Sequence, residues 1–160
     1  MKLDDIVVYV LTYNEEENIG KCLESLTWAR KVIIVDSFSD DRTVAIANSY
    51  SNVTVIENKF VSHSRQHQFA LDQIPGDKWV LRLDADWLLT SAFLMELLAL
   101  DIPETVTGVR IRFLFSIYGE LASVSLYPSV VALFKRDGAR YMQDGHTERL
   151  VHDGDTIRLR

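Results

Sequence analysis

Four short and almost unbroken apolar runs, Ile6–Leu11, Val32–Val35, Val53–Ile56 and Trp79–Leu83, constrain this chain more than anything else in it. A strand with one wet face alternates apolar and polar residues, whereas a run that is apolar at nearly every position is covered on both faces. The stretches between the runs have helical spacing. Asn14, with Glu17 three residues on, makes a capping-box pattern ahead of an apolar stripe of Ile19, Cys22, Leu23 and Leu26, so a helix is expected to start at Asn14. Further helices are expected over 41–50, with Asp40 as a possible cap, over Ser62–Gln73, stopped by Pro75-Gly76, and over 91–100. Strands alternating with helices of this length specify an α/β fold with a mainly parallel sheet flanked by helices.

After Pro103 the pattern changes. Val109, Ile111, Phe113, Phe115 and Ile117 alternate with Arg110, Arg112, Leu114 and Ser116, which predicts one long half-buried strand. Val130–Phe134 reads as another strand, followed by the polar segment Asp144-Gly145-His146-Thr147-Glu148-Arg149. No linker separates the two parts. The expected organisation is one domain over 1–160, with a ligand-binding half to about residue 100 and a β-rich half from about residue 101.

Composition narrows the partners. A formal charge of −6 over 160 residues, with no basic stripe, argues against nucleic acid. Cys22 is the single cysteine and falls on the apolar stripe, so no disulfide can form within the chain and a buried structural thiol is expected. No secretory signal and no apolar stretch of membrane-spanning length is visible, which predicts a cytoplasmic protein.

Three of the runs end in acid-rich loops: Thr12-Tyr13-Asn14-Glu15-Glu16, Asp36-Ser37-Phe38-Ser39-Asp40 and Asp84-Ala85-Asp86. In a parallel sheet these ends share one edge, where open α/β sheets bind ligands. Carboxylates gathered at one edge repel one another unless a cation or a donor-rich ligand offsets them. Asp84 and Asp86 offer two hard oxygen ligands suited to Mg²⁺ or Mn²⁺, which take carboxylate and phosphate oxygens together.

These segments resemble the family 2 inverting glycosyltransferases of the GT-A (Rossmann-like) fold. The resemblance is carried by LTYNEEENIGKCLESL (Leu11–Leu26), VIIVDSFSDDRTVAIA (Val32–Ala47), FVSHSRQHQFAL (Phe60–Leu71) and LRLDADW (Leu81–Trp87). It is strongest to small bacterial enzymes that add sugars to lipopolysaccharide core or exopolysaccharide precursors. It implies a nucleotide-sugar donor, with a UDP-sugar favoured, bound by the first half, and a saccharide or lipid-linked acceptor bound by the second. Tyr13, Glu15 and Asp36, with Thr12 beside them, are then expected at the base and ribose. Asp84, Ala85 and Asp86 are expected at the metal and diphosphate. Ser37 stands where many relatives carry a second Asp. Arg65 and His63 could donate to the diphosphate, and His146 could complete the metal shell or hold substrate. Inverting displacement needs a carboxylate to take the acceptor's hydroxyl proton, and either Glu148 or Asp144 could serve. Relatives of this kind continue further, often with membrane-touching helices, so the chain reads as truncated at its C-terminal side. The apolar stretches Leu114–Tyr118 and Leu126–Pro128 add an expected peripheral contact with the inner face of the cell membrane.

Two other classes compete. A sugar-phosphate nucleotidyltransferase would need a Gly-rich, basic phosphate loop after the first strand, where this chain has Asn14-Glu15-Glu16-Glu17. A non-catalytic nucleotide-sugar-binding module would lack donor hydrolysis and transfer.

Overall fold

The computed structural model describes residues 2–117, 120, 121 and 128–159. After a short 3-10 turn (Leu3–Asp5) come β1 (Ile6–Thr12), α1 (Ile19–Glu24), β2 (Val32–Asp36), α2 (Thr43–Ala47), β3 (Val53–Glu57), α3 (His63–Asp72), β4 (Trp79–Asp84) and α4 (Ser91–Ala99). The second part holds β5 (Val106–Ile111), β6 (Ser116–Ile117), β7 (Glu120–Leu121), β8 (Val130–Lys135), β9 (Arg140–Asp144), β10 (Thr147–Val151) and β11 (Asp155–Arg158).

Seven strands form one sheet in the order β11-β5-β8-β4-β1-β2-β3. β1 runs parallel to both β2 and β4, and β2 parallel to β3, while β8 is antiparallel to β4 and β5. Three of the apolar runs, β1, β2 and β4, are thus central strands, whereas Val53–Ile56, expected to be covered on both faces, forms the edge strand β3 and is only partly buried. Val8, Val10, Ile34 and Leu81 pack on one face beneath α1, and Val7, Tyr9, Val35 and Val80 pack on the other beneath α3. β1 aligns Thr12 with Asp36, and Leu11 with Asp84, so three strand ends meet at one sheet edge. β9 and β10 form a separate hairpin over the α3 side.

Several local expectations give way to contacts between distant segments. Asn14 does not cap a helix. It adopts a left-handed conformation (φ 54), and α1 starts only at Ile19 without a side-chain cap. Its side-chain oxygen instead accepts from the Asp40 N–H at 3.0 Å, and its own N–H donates to Ser39 Oγ at 2.9 Å. The helix expected over 41–50 contracts to Thr43–Ala47, and Asp40 does not cap it. Asp41 is engaged across the loops, accepting from the Glu16 N–H at 3.0 Å and the Thr43 N–H at 2.8 Å. Polar side chains facing each other between loops have taken the roles that helix caps were expected to fill.

The long strand expected over Val109–Ile117 stops at Ile111. Residues 112–115 are irregular, and the Phe113 ring packs on Trp87 at 4.2 Å between centroids. Continued pleating would have sent alternate residues to opposite faces, so this ring contact takes the place of ladder pairing. The polar segment after β8 is a tight hairpin turn. Gly145 has φ 61, a conformation in which it incurs no Cβ penalty. Of the apolar stretches expected near a membrane, Tyr118 and Leu126-Tyr127 lie outside the described residues. Among the described residues, no helix is long and apolar enough to cross a membrane.

Candidate active site

The parallel register brings the ends of β1, β2 and β4 to the rim of one cleft of about 550 Å³. The loop after β1 contributes Tyr13 and Glu15, the end of β4 contributes Asp84, Ala85 and Asp86, and the β9–β10 turn closes the far side with His146, Thr147 and Glu148. Thr12, Ser37, His63 and Gln66 complete the wall.

Asp36 lies below this wall, fully buried. Its carboxylate accepts from Thr12 Oγ1 at 2.7 Å, from the Ser39 N–H at 2.7 Å and from Ser39 Oγ at 2.6 Å. Three short bonds use most of its acceptor capacity, so Asp36 braces the β1 and β2 loops instead of meeting a ligand in this state. Ser37 is left at the cleft, where Gln66 Nε2 donates to its hydroxyl at 3.1 Å. Tyr13 is 61% exposed and presents its ring to the opening.

The β4 carboxylates differ from each other. Asp86 is exposed and has no side-chain partner among the described residues. Burial raises the Asp84 pKa above the usual carboxylate value, with the charges of Asp86 and Glu148 adding to the rise and the Arg82 guanidinium opposing it. The same negative field, after burial, helps push the Cys22 thiol up to about 12, so this cysteine is a buried thiol and no nucleophile. Among the described residues no group of three or more His, Cys, Asp or Glu side chains converges on a possible ion position. Mg²⁺ and Mn²⁺ sites of the nucleotide type need only one or two carboxylates, the rest being phosphate oxygen and water. The crowded pair Asp84 and Asp86 fits that kind of ion. His146 is at the cleft rim but does not gather with them into a preformed shell.

The hairpin separates the two candidate bases. Gln143 lies opposite Glu148, and Asp144 opposite Thr147, so Glu148 and Asp144 occupy opposite faces of the ribbon. Glu148 faces the cleft, whereas Asp144 is exposed, lies 3.7 Å from Arg149 and is outside the lining. Arg65 is also outside it, on the exposed face of α3, with its N–H directed at the Ser62 cap.

A buried polar cluster beneath the cleft is absent from the sequence reading. Tyr141 and Tyr9 hydroxyls lie 2.8 Å apart, Tyr9 Oη is 2.9 Å from His67 Nδ1, and His67 Nε2 is 3.5 Å from Glu148 Oε1. Arg82 Nη2 lies 3.1 Å from the same Glu148 oxygen. Burial pulls His67 down to about 4 despite Glu148 beside it, so it is neutral near pH 7. The His67 hydrogen bond, assisted by Arg82, pulls Glu148 down to about 2 against its own desolvation. The available signals were weak: Arg82 interrupts an apolar run, and His67 follows His63 by one helical turn.

Residues 7–118 match the family described as Glycosyl transferase family 2. The chain belongs to that family. It is 34% identical over 110 residues to the lipopolysaccharide core biosynthesis glycosyltransferase LpsC of Rhizobium meliloti (strain 1021), covering 64% of the chain and 40% of the relative. Among solved structures it resembles S. aureus TarS 1-349 in complex with UDP, with TM-score 0.60 and 27% identity over 72% of this chain and 37% of that one. It also resembles the mannosyltransferase PcManGT from Pyrobaculum calidifontis in complex with GDP-Man and Mn²⁺, with TM-score 0.55 and 26% identity over 66% and 34% of the two chains. These likenesses identify the glycosyltransferase fold as GT-A. The chain spans about two fifths of the length of its curated relative.

Proposed function

We propose that this glycosyltransferase transfers a sugar, with inversion and with a divalent cation, from a UDP-sugar to a saccharide or lipid-linked acceptor of the lipopolysaccharide type. The observation that carries the reading is the single cleft shared by Asp84 and Asp86, the Tyr13-to-Glu15 loop and Glu148. The likeness to a UDP complex and to a lipopolysaccharide core enzyme supports the choice of donor and acceptor class.

Tyr13 offers a ring face to the base, and Glu15 and Ser37 offer acceptors for base or ribose donors, on loops that Asp36 braces from below. Asp86, with Asp84, would hold Mg²⁺ or Mn²⁺, which supplies positive charge against the diphosphate leaving group. Across the cleft, Glu148 is the carboxylate placed to receive the acceptor's hydroxyl proton. A carboxylate held at about 2 is a weak base in the free protein. Proton transfer to it must therefore accompany formation of the new glycosidic bond, when the attacking hydroxyl becomes strongly acidic. With a lipid-linked acceptor, the reading also has the enzyme working at the cytoplasmic face of the membrane.

The test is a titration of UDP with Mn²⁺ and with a chelator, followed by donor turnover in the unaltered chain and in Glu148→Gln. Metal-dependent UDP binding with turnover lost in Glu148→Gln is expected. Equal UDP affinity with and without metal would remove the donor-site reading, and normal transfer by Glu148→Gln would remove the base.

A further inference from the structure

We propose that His67 is a positioning residue that aims the Glu148 carboxylate into the cleft, itself held in one tautomer by Tyr9. The inference rests on the proposed role of Glu148.

The hydrogen-bond chain has one self-consistent direction when His67 is neutral. Arg82 and His67 approach Glu148 Oε1 at 3.1 and 3.5 Å, and an ionised carboxylate only accepts, so the favourable tautomer carries its proton on Nε2, toward Glu148. Nδ1 is then a bare acceptor, and the Tyr9 hydroxyl, 2.9 Å away, donates to it. Tyr9 has spent its proton, so the Tyr141 hydroxyl donates to Tyr9 across 2.8 Å.

The surroundings leave little freedom for another arrangement. His67 is 2% exposed, stacks on Tyr141 at 4.7 Å with rings 21° apart, and meets Tyr9 edge-on at 5.8 Å. Tyr9 is wholly buried on β1, and Tyr141 nearly so on β9. The imidazole therefore cannot turn away from Tyr9 and Glu148 without disturbing the core of that face. Both contacts to Glu148 use one oxygen, Oε1, of a carboxylate that lines the cleft. A histidine that orients a carboxylate in this way converts a flexible side chain into a fixed one, lowering the entropy lost at the moment of reaction.

The decisive variants are His67→Gln and His67→Asn. Glutamine places an N–H donor where Nε2 was, whereas asparagine mimics the Nδ1 position and falls short of Glu148. UDP-sugar turnover, the donor KM and UDP affinity are measured for both, with ring-nitrogen NMR of the unaltered chain. The expected result is kcat reduced roughly tenfold or more in His67→Asn and within about threefold of normal in His67→Gln. UDP affinity and donor KM should stay unchanged in both, and the imidazole should show the Nε2–H tautomer. Equal turnover by the two variants, or an Nδ1–H tautomer, would overturn the proposal. Loss of UDP binding by the unaltered chain would refute the donor site, not the positioning role. If the unaltered chain binds UDP but does not turn over, the NMR tautomer still decides.

Discussion

Arg82 Nη2 sits 3.1 Å from Glu148 Oε1 and 3.8 Å from Asp84 Oδ1. One guanidinium from a sheet strand thus serves a carboxylate on the β9–β10 hairpin and another at the end of its own strand. Arg82 is 18% exposed, and its Nε has no hydrogen-bond partner among the described residues. Arg82 thus opposes the rise that burial and the neighbouring acids impose on Asp84, and helps hold Glu148 low.

Replacing Arg82 by Met should keep the apolar stem and strip the charge. Glu148 and Asp84 would then face each other without a counter-ion, and breaking one partner from a mostly buried pair costs about 3 kcal/mol. Urea unfolding should show a lower midpoint for Arg82→Met and a partial recovery in Arg82→Met with Glu148→Leu. Additive effects in the double variant would mean that the two side chains do not interact.

Asp86→Ala should leave the fold unaltered, because Asp86 is exposed and has no partner among the described residues. Its effect should appear only in ligand binding, as loss of most of the difference in UDP affinity between Mn²⁺ and chelator. Calorimetric titration at fixed ionic strength reads this directly, and an unchanged metal dependence would place the ion elsewhere.

Asp36→Asn should damage stability and nucleotide binding together. The amide nitrogen of Asn cannot accept, so either the Thr12 and Ser39 hydroxyls that now donate to this carboxylate must reverse or the Ser39 N–H loses its acceptor. The cost of disrupting such charge-assisted bonds is about 1.5–3 kcal/mol, or roughly 3–10 °C in Tm for a chain of this size. A loss of UDP affinity with unchanged Tm would show that Asp36 contacts the nucleotide itself.

Stability should fall as pH drops from about 6.5 towards 4. His67 has its pKa lowered to about 4, so in that window the unfolded chain binds a proton that the folded one refuses. Glu148, lowered to about 2, adds a second loss as pH falls below its ordinary value of 4.5. The His67 part is worth on the order of 3 kcal/mol at most. Denaturant midpoints of the unaltered chain and of His67→Gln, measured from pH 7.5 to 4, should converge as pH falls towards 4. Parallel curves would show that His67 does not titrate between the folded and unfolded states.

The sequence by itself determined the sheet and the address of the site. Runs such as Val32-Ile33-Ile34-Val35 are apolar at consecutive positions, which only a strand covered on both faces can use. Parallel pairing of such strands then sends Thr12, Asp36 and Asp84 to one edge whatever the details of packing. The motifs carrying the family resemblance are of this local kind. What only the tertiary structure decided is which of several near-equal polar partners each side chain takes. Asn14 had a helix to cap and took Asp40 and Ser39 instead, while Asp36, at the cleft by position, became a brace beneath it. Glu148 and Asp144 are equivalent in a linear reading, and strand register alone put one in the cleft and the other outside. His67, Tyr9 and Arg82 come from separate elements, and His67 and Arg82 meet Glu148 only when the hairpin lies over α3. A cap and a cross-loop hydrogen bond each contribute about 1 kcal/mol, so local pattern cannot rank them. Apolar burial is cumulative along a run and insensitive to the exact neighbour, whereas hydrogen bonds depend on a few tenths of an ångström and on direction.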